Sequence, residues 1–319
     1  MEKKEMHKPI EELNVLDDFL FREIVMDKEH GEEFIHYFLK TVLECEISIR
    51  EVKAQMVYTT GDPNLRAIRM DIVTQGTILP KERNPVTGEK KETFVDVEMQ
   101  KQEKDAKKWK KENLRNRSRL YQGLLDVGLL KPRQSFGEIP NVLIIICMPF
   151  DLFEYDRMIY TFQHYCEEVP GLALEDGAKR IFLNTKGKIG GRKELQEMLQ
   201  YIENSIEENV VNSELKTVHN LVTAVRQNKE VRVKYMLSIE HEQEIREEGR
   251  EEGREEGKKE GIEEGRKEGR KEGLEAFILD NLEENISRER ILEKLQRRFE
   301  LSEEKAKAYL EKYSDKAAL

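Results

Sequence analysis

Asn141-Val142-Leu143-Ile144-Ile145-Ile146-Cys147-Met148 is the stretch on which the reading of this chain turns. Its apolar run is strand-sized, far short of the roughly 18 or more residues of a membrane span. A near-continuous run of this kind suits a central strand buried on both faces. To its N-terminal side the apolar residues alternate from Arg66 to Gly76 and again from Glu92 to Gln100, with Asn84-Pro85-Val86-Thr87-Gly88 supplying turn chemistry between them. That pattern predicts a strand, a long hairpin connection and a second strand. Gln102 to Gly128 reads as a helix marked by Trp109, Leu120, Leu124 and Leu125. Beyond the central run, Met158 to Cys166 alternates, Arg180 to Asn184 is a short strand, and 195–211 and 215–239 are helical. At the start, Leu13, Leu16, Phe19, Leu20 and Ile24 recur at helical spacing, as do Phe34, Tyr37, Phe38 and Val42. Strands interleaved with helices indicate an α/β domain over 1–240.

The chain has 319 residues, 38% of them charged, with a net charge of -10. From His241 to the end there are 18 Lys and Arg against 24 Asp and Glu. The acidic balance argues against a protein that coats polyanions indiscriminately and leaves local basic patches open. No apolar segment follows the charged N-terminus, so neither a secretory signal nor a membrane partner is expected, and the location expected is the cytoplasm. Cys45, Cys147 and Cys166 lack CxxC spacing, which predicts ordinary reduced core thiols rather than a disulfide framework or a zinc site.

Glycine stands at every fourth position from Gly249 to Gly273, among Glu, Arg and Lys. On a helix that stripe drifts by about 40° per repeat. Each glycine costs about 1 kcal/mol relative to alanine, and each charged pair returns only about 0.2 to 0.5 kcal/mol. An isolated helix over 241–273 is therefore marginal. It reads either as a solvated tether or as a self-association stalk packed across the glycines. Residues 274–319 read as a small helical unit, either a cap or a DNA-binding element, with helices over 274–282, 287–299 and 302–313.

The chemistry-bearing residues lie on the two hairpin strands. Asp96, Glu98 and Gln100 share one face of their strand, Val95, Val97 and Met99 the other, and Asp71 sits between Met70 and Ile72 on the neighbouring strand. Two adjacent strands can bring Asp71 and Glu98 together. Paired carboxylates are hard ligands suited to Mg²⁺ or Mn²⁺, and without a cation their repulsion raises one carboxyl pKa. The competing reading is a wet polar face. The following helix carries Lys101, Lys104, Lys107, Lys108, Lys110, Lys111, Arg115, Arg117 and Arg119 against Glu103, Asp105 and Glu112. It is either a phosphate-backbone track or a solvated helix face. Arg117 and Tyr121, at i,i+4, face the same way and would either contact a phosphate or pair and pack internally.

Asp71-Ile72, Val97-Glu98-Met99-Gln100 and Arg117-Ser118-Arg119-Leu120-Tyr121-Gln122, with Asp17-Asp18-Phe19-Leu20-Phe21-Arg22 before them, resemble the PD-(D/E)XK nuclease family transposases, the Rpn recombination-promoting nucleases. Ile144-Ile145-Ile146-Cys147-Met148-Pro149-Phe150-Asp151, Tyr160-Thr161-Phe162, Asp176-Gly177-Ala178 and Ile181-Phe182-Leu183-Asn184 extend the resemblance over roughly residues 12 to 240. It implies a restriction-endonuclease-like mixed sheet flanked by helices that hydrolyses DNA phosphodiesters with Mg²⁺, for which Mn²⁺ can substitute. Asp71 then matches the metal-binding Asp and Glu98 the second acidic ligand, with the Met99 carbonyl a further ligand. Gln100 stands where the broader superfamily has Lys. A neutral amide orients a water but cannot offset negative charge as an ammonium does, which implies slow cleavage. Lys104, Lys108, Lys111, Arg117 and Tyr121 would meet DNA, and Asp18 or Glu23 would supply another acid. The alternative is a DNA-binding or assembly protein on the same fold that has lost turnover. A third reading is a structural protein whose repeat and terminal helices carry homo-oligomerisation.

Overall fold

The computed structural model of the chain describes residues 7–58, 68–79, 92–101, 108–129, 133 and 135–317. The chain divides into two compact units, Met1–Ser238 and Ile239–Leu319. The first is a mixed α/β structure built on a six-stranded sheet of order β1-β2-β3-β4-β6-β5. Its strands are β1 (Glu46–Tyr58), β2 (Ile68–Leu79), β3 (Glu92–Met99), β4 (Asn141–Met148), β5 (Ile159–Phe162) and β6 (Ala178–Asn184). β1, β2 and β3 are antiparallel neighbours, β3, β4 and β6 run parallel, and β5 returns antiparallel at the far edge. Parallel pairing of β3 with β4 demands a crossover, and α3 (Lys108–Leu129) lies within it.

The apolar run that anchors the reading is β4, and it is buried on both sides. Leu143, Ile145 and Cys147 belong to one core; Val142, Ile144, Ile146 and Met148 belong to the other. The first core is covered by α1 (Asp18–Val25), α2 (Gly31–Leu43), α4 (Lys193–Glu203) and α5 (Ser213–Gln227), which contribute Phe21, Phe38, Met198 and Val222. The second is closed by α3 through Leu114, Tyr121 and Leu125. Helical spacing of Leu114, Tyr121 and Leu125 puts the three on one side of α3, which is why a helix with so charged a beginning still has a face to bury.

Several boundaries differ from the sequence reading. β1 was not anticipated, because its alternation changes phase: Ile47 and Ile49 precede a register shift between Ile49 and Glu51, after which Val52, Ala54 and Met56 carry the pattern. Gly76 sits opposite Ile49, and a Cβ there would run into the Ser48 carbonyl oxygen, so glycine is needed for β1 and β2 to approach at the bulge. The helix expected over 195–211 stops at Glu203 and gives way to a short 3-10 turn at Glu207–Asn209. The helix expected over 215–239 ends at Gln227, with Asn228 opening the next one. Cys147 is buried, but Cys45 and Cys166 are half-buried rather than core thiols. The turn at 84–88 lies outside the described residues.

Helix α6 (Lys229–Glu283) runs without a break through all seven glycines of the repeat. Together with α7 (Arg288–Phe299) and α8 (Glu303–Ala317), its last turns enclose a small core of Leu274, Ile278, Ile291, Leu295, Leu310 and Tyr313. No helix among the described residues is long and apolar enough to cross a membrane.

Candidate functional site

The β2–β3 ladder pairs Thr77 with Glu92 at one end and Ile72 with Val97 at the other. One step further, side chains replace the ladder. The Asp71 backbone N–H donates to Glu98 Oε1 at 2.9 Å, and the Met99 N–H donates to the Asp71 carboxylate. The two carboxyl groups are thereby brought to one spot by the backbone itself, as the sequence reading required. Met99 is buried in the strand.

Glu98 is 5% exposed, and Asp96 on the same face is wholly buried. This corrects the picture of a wet polar strand face: α3 covers it. Burial foremost, and the Asp71 charge next, push the Glu98 carboxyl up to about 8. Asp71 is pushed up to about 6, again mainly by burial, with the Asp18 charge adding to it. Asp96 rises too, through burial and then the charges of Glu98 and Asp71, and neither of its oxygens has a hydrogen-bond partner among the described residues. The charge of Asp18, the exposed first residue of α1, adds to the rise of both Asp71 and Glu98. Glu23 is occupied by Lys234 at 2.9 Å.

One cation faces this negative cluster from α3. Arg117 Nη2 donates to Gln100 Oε1 at 2.7 Å and lies 3.7 Å from Glu98 Oε2. Its guanidinium stands 5.5 Å above the Tyr121 ring, so the i,i+4 pair shares a direction as expected, while Tyr121 itself is buried in the core beneath the arginine. Gln100 is engaged at both ends of its amide, since Nε2 also donates to the Lys101 carbonyl at 3.1 Å. Lys101 pairs with the buried Asp17 just before α1. Lys108 and Lys111 lie in the first turn of α3, and Lys104 is outside the described residues.

Asp96 is the residue that sequence reasoning placed on the polar face without assigning it to the site. Alternation in β3 marked a polar face and said nothing of what lay over it. The 114, 121 and 125 spacing in α3 was the signal that a helix returns across that face.

Buried Glu98 and Asp96 and half-buried Asp71 crowd three carboxyls beside the charges of Arg117 and Arg22, and the Asp96 oxygens meet no hydrogen-bond donor among the described residues. Such a cluster fits a hard divalent cation, with Asp71 and Glu98 the groups that would hold it. Among the described residues no group of three or more His, Cys, Asp or Glu is already arranged as a ligand shell, so waters or a substrate oxygen would complete the coordination.

The shifts have a measurable sign. A carboxyl with a higher pKa in the folded than in the unfolded state keeps its proton better when folded. Its favourable contribution is therefore complete below the unfolded value and is lost as pH rises through the folded one. For Glu98 the window runs from 4.5 to about 8 and for Asp71 from 3.8 to about 6, at no more than about 1.4 kcal/mol per pH unit per group. The melting temperature in EDTA should fall between pH 5 and pH 8, and Mg²⁺ should restore part of that loss at pH 8 while doing little at pH 5. A flat profile in EDTA would show that the carboxyls carry no excess charge.

Comparison of the chain with protein-family models, with curated proteins and with solved structures gave no match.

Proposed function

We propose that the chain is a Mg²⁺-dependent DNA endonuclease of the transposase-associated, restriction-endonuclease-like kind. The observation that carries the reading is the convergence of half-buried Asp71 and buried Glu98 at the end of the β2–β3 ladder, two carboxyls with raised pKa values, Glu98 accepting from the Asp71 N–H and Asp71 from the Met99 N–H, beside the arginine of a basic helix. A divalent ion held there would acidify a bound water towards neutral pH and polarise a phosphodiester. Asp71 and Glu98 would hold the ion. Arg117, braced by Gln100 and Tyr121, presents its guanidinium to the phosphate, a planar donor matched to such oxygens. Lys108 and Lys111 on α3, and Lys104 before it, contribute charge along the DNA backbone.

One observation favours a second reading, a DNA-binding or assembly protein without turnover. Both ends of the Gln100 amide are committed, so it has no simple role in aligning a water. Incubating the full chain with supercoiled plasmid in Mg²⁺, Mn²⁺ or EDTA separates the two. Nicking that needs the cation is the expected result. Salt-sensitive DNA retention with no cutting under any condition would replace the nuclease with the binding protein.

A further inference from the structure

Among the described residues nothing packs on the glycine stripe of helix α6, and at its edge Arg270 donates to the Phe299 carbonyl. All residues of 241–273 are exposed, and a Cβ built on any glycine from Gly249 to Gly273 meets nothing within 4 Å. The charge around that stripe is arranged in rows. Each of these glycines is preceded by Glu, from Glu248 to Glu272, and five are followed by a cation, Arg250, Arg254, Lys258, Arg266 or Arg270. At about 100° per residue, the glutamates form one flank of the stripe along its whole length and the cations the other at five of its seven glycines. In place of a cation beside Gly261 stands Ile262, an isoleucine 63% exposed.

These rows distinguish the ways in which a second helix can lie on the stripe. When two identical helices pack in parallel, the left flank of one abuts the right flank of the other. Here that sets Glu against Arg and Lys on both sides. Packed antiparallel, each flank meets its own copy, Glu against Glu and cation against cation. Flanking charges are what fix orientation in paired helices generally. We infer that the 245–273 segment of α6 is a self-association surface whose occupant is the same segment of a second copy of this chain, in parallel orientation. The four-residue row favours a right-handed crossing of about 40°, with the helices closest over two or three glycines. The exposed Ile262 puts that crossing near Gly261, where its side chain covers the partner's backbone. This inference is independent of the nuclease reading.

Sedimentation equilibrium of the full chain tests it with three samples. Wild type should be a dimer. The Gly257→Ala/Gly261→Ala/Gly265→Ala variant should bind itself at least tenfold more weakly while its circular dichroism shows no loss of helix, because alanine is the better helix former and only close approach suffers. Glu256→Lys/Glu260→Lys/Glu264→Lys should be monomeric alone and should dimerise when mixed with Arg254→Glu/Lys258→Glu/Arg266→Glu. A monomeric wild type, or an unchanged mass in the alanine variant, overturns the surface. An unchanged mass in the lysine variant overturns the parallel arrangement, because the antiparallel flanks of two identical chains are like-charged before and after the swap, and no rescue on mixing overturns the charged flanks as contacts between the copies.

Discussion

Glu98→Gln should lower metal-dependent plasmid nicking by about 10²-fold or more, the scale on which a single group stabilising developing charge is lost, and at the same time raise the melting temperature at pH 8. The two effects have one cause. Glu98 is buried against Asp71 with its carboxyl pushed up to about 8, so at pH 8 the native state carries a charge it accommodates poorly. Glutamine keeps the shape and keeps an oxygen for the Asp71 N–H, but removes that charge. If Glu98 were instead a structural partner of Arg117, losing it would leave a cation without its counter-charge and lower the melting temperature. Nicking rates and thermal melts of the two proteins at pH 5 and pH 8 distinguish the cases. A Glu98→Gln protein that cuts like wild type and melts lower would remove this residue from the site.

Phe21→Ala should destabilise the first unit by about 3–5 kcal/mol, the usual range for truncating a buried phenylalanine. Phe21 is fully buried, with its ring centroid 6.0 Å from that of Phe34 and 6.2 Å from that of Phe38 in edge-to-face contact. These three rings fasten α1 to α2, and α1 presents Asp18 and Arg22, both of which act on Asp71. Against a total stability of about 5–15 kcal/mol, the loss should appear as a large drop in urea midpoint with the slope of the transition unchanged. A loss below about 1 kcal/mol would mean that the aromatic layer closes over the hole and does not hold α1 in place.

Legibility followed how local the signal was. β4 could be read outright because burial on both faces leaves an unbroken apolar run, and β3 because Asp96-Val97-Glu98-Met99 alternates cleanly. β1 could not, since a single bulged residue, Arg50, puts its two halves in opposite phase. The meeting of Asp71 and Glu98 followed from pairing two strands in register. The depth of Asp96 did not, because it depends on a helix whose covering residues are about twenty to thirty positions away in the chain and contact it only through the crossover. Unbroken helicity through the glycine repeat was likewise out of reach, since the penalties of the glycines outweigh what the charged pairs around them return.

β1 is the outermost strand at its end of the sheet and thirteen residues long. So long a border invites another polypeptide to add itself strand by strand, the first event of fibrillar growth. The kink at Arg50 spoils the flat template such growth requires, and Arg50 itself is drawn back across the sheet to Glu92 at 2.8 Å. Glu51 and Lys53 then line the border with charge. The irregularity that hid this strand from pattern reading is also what keeps it from seeding aggregation.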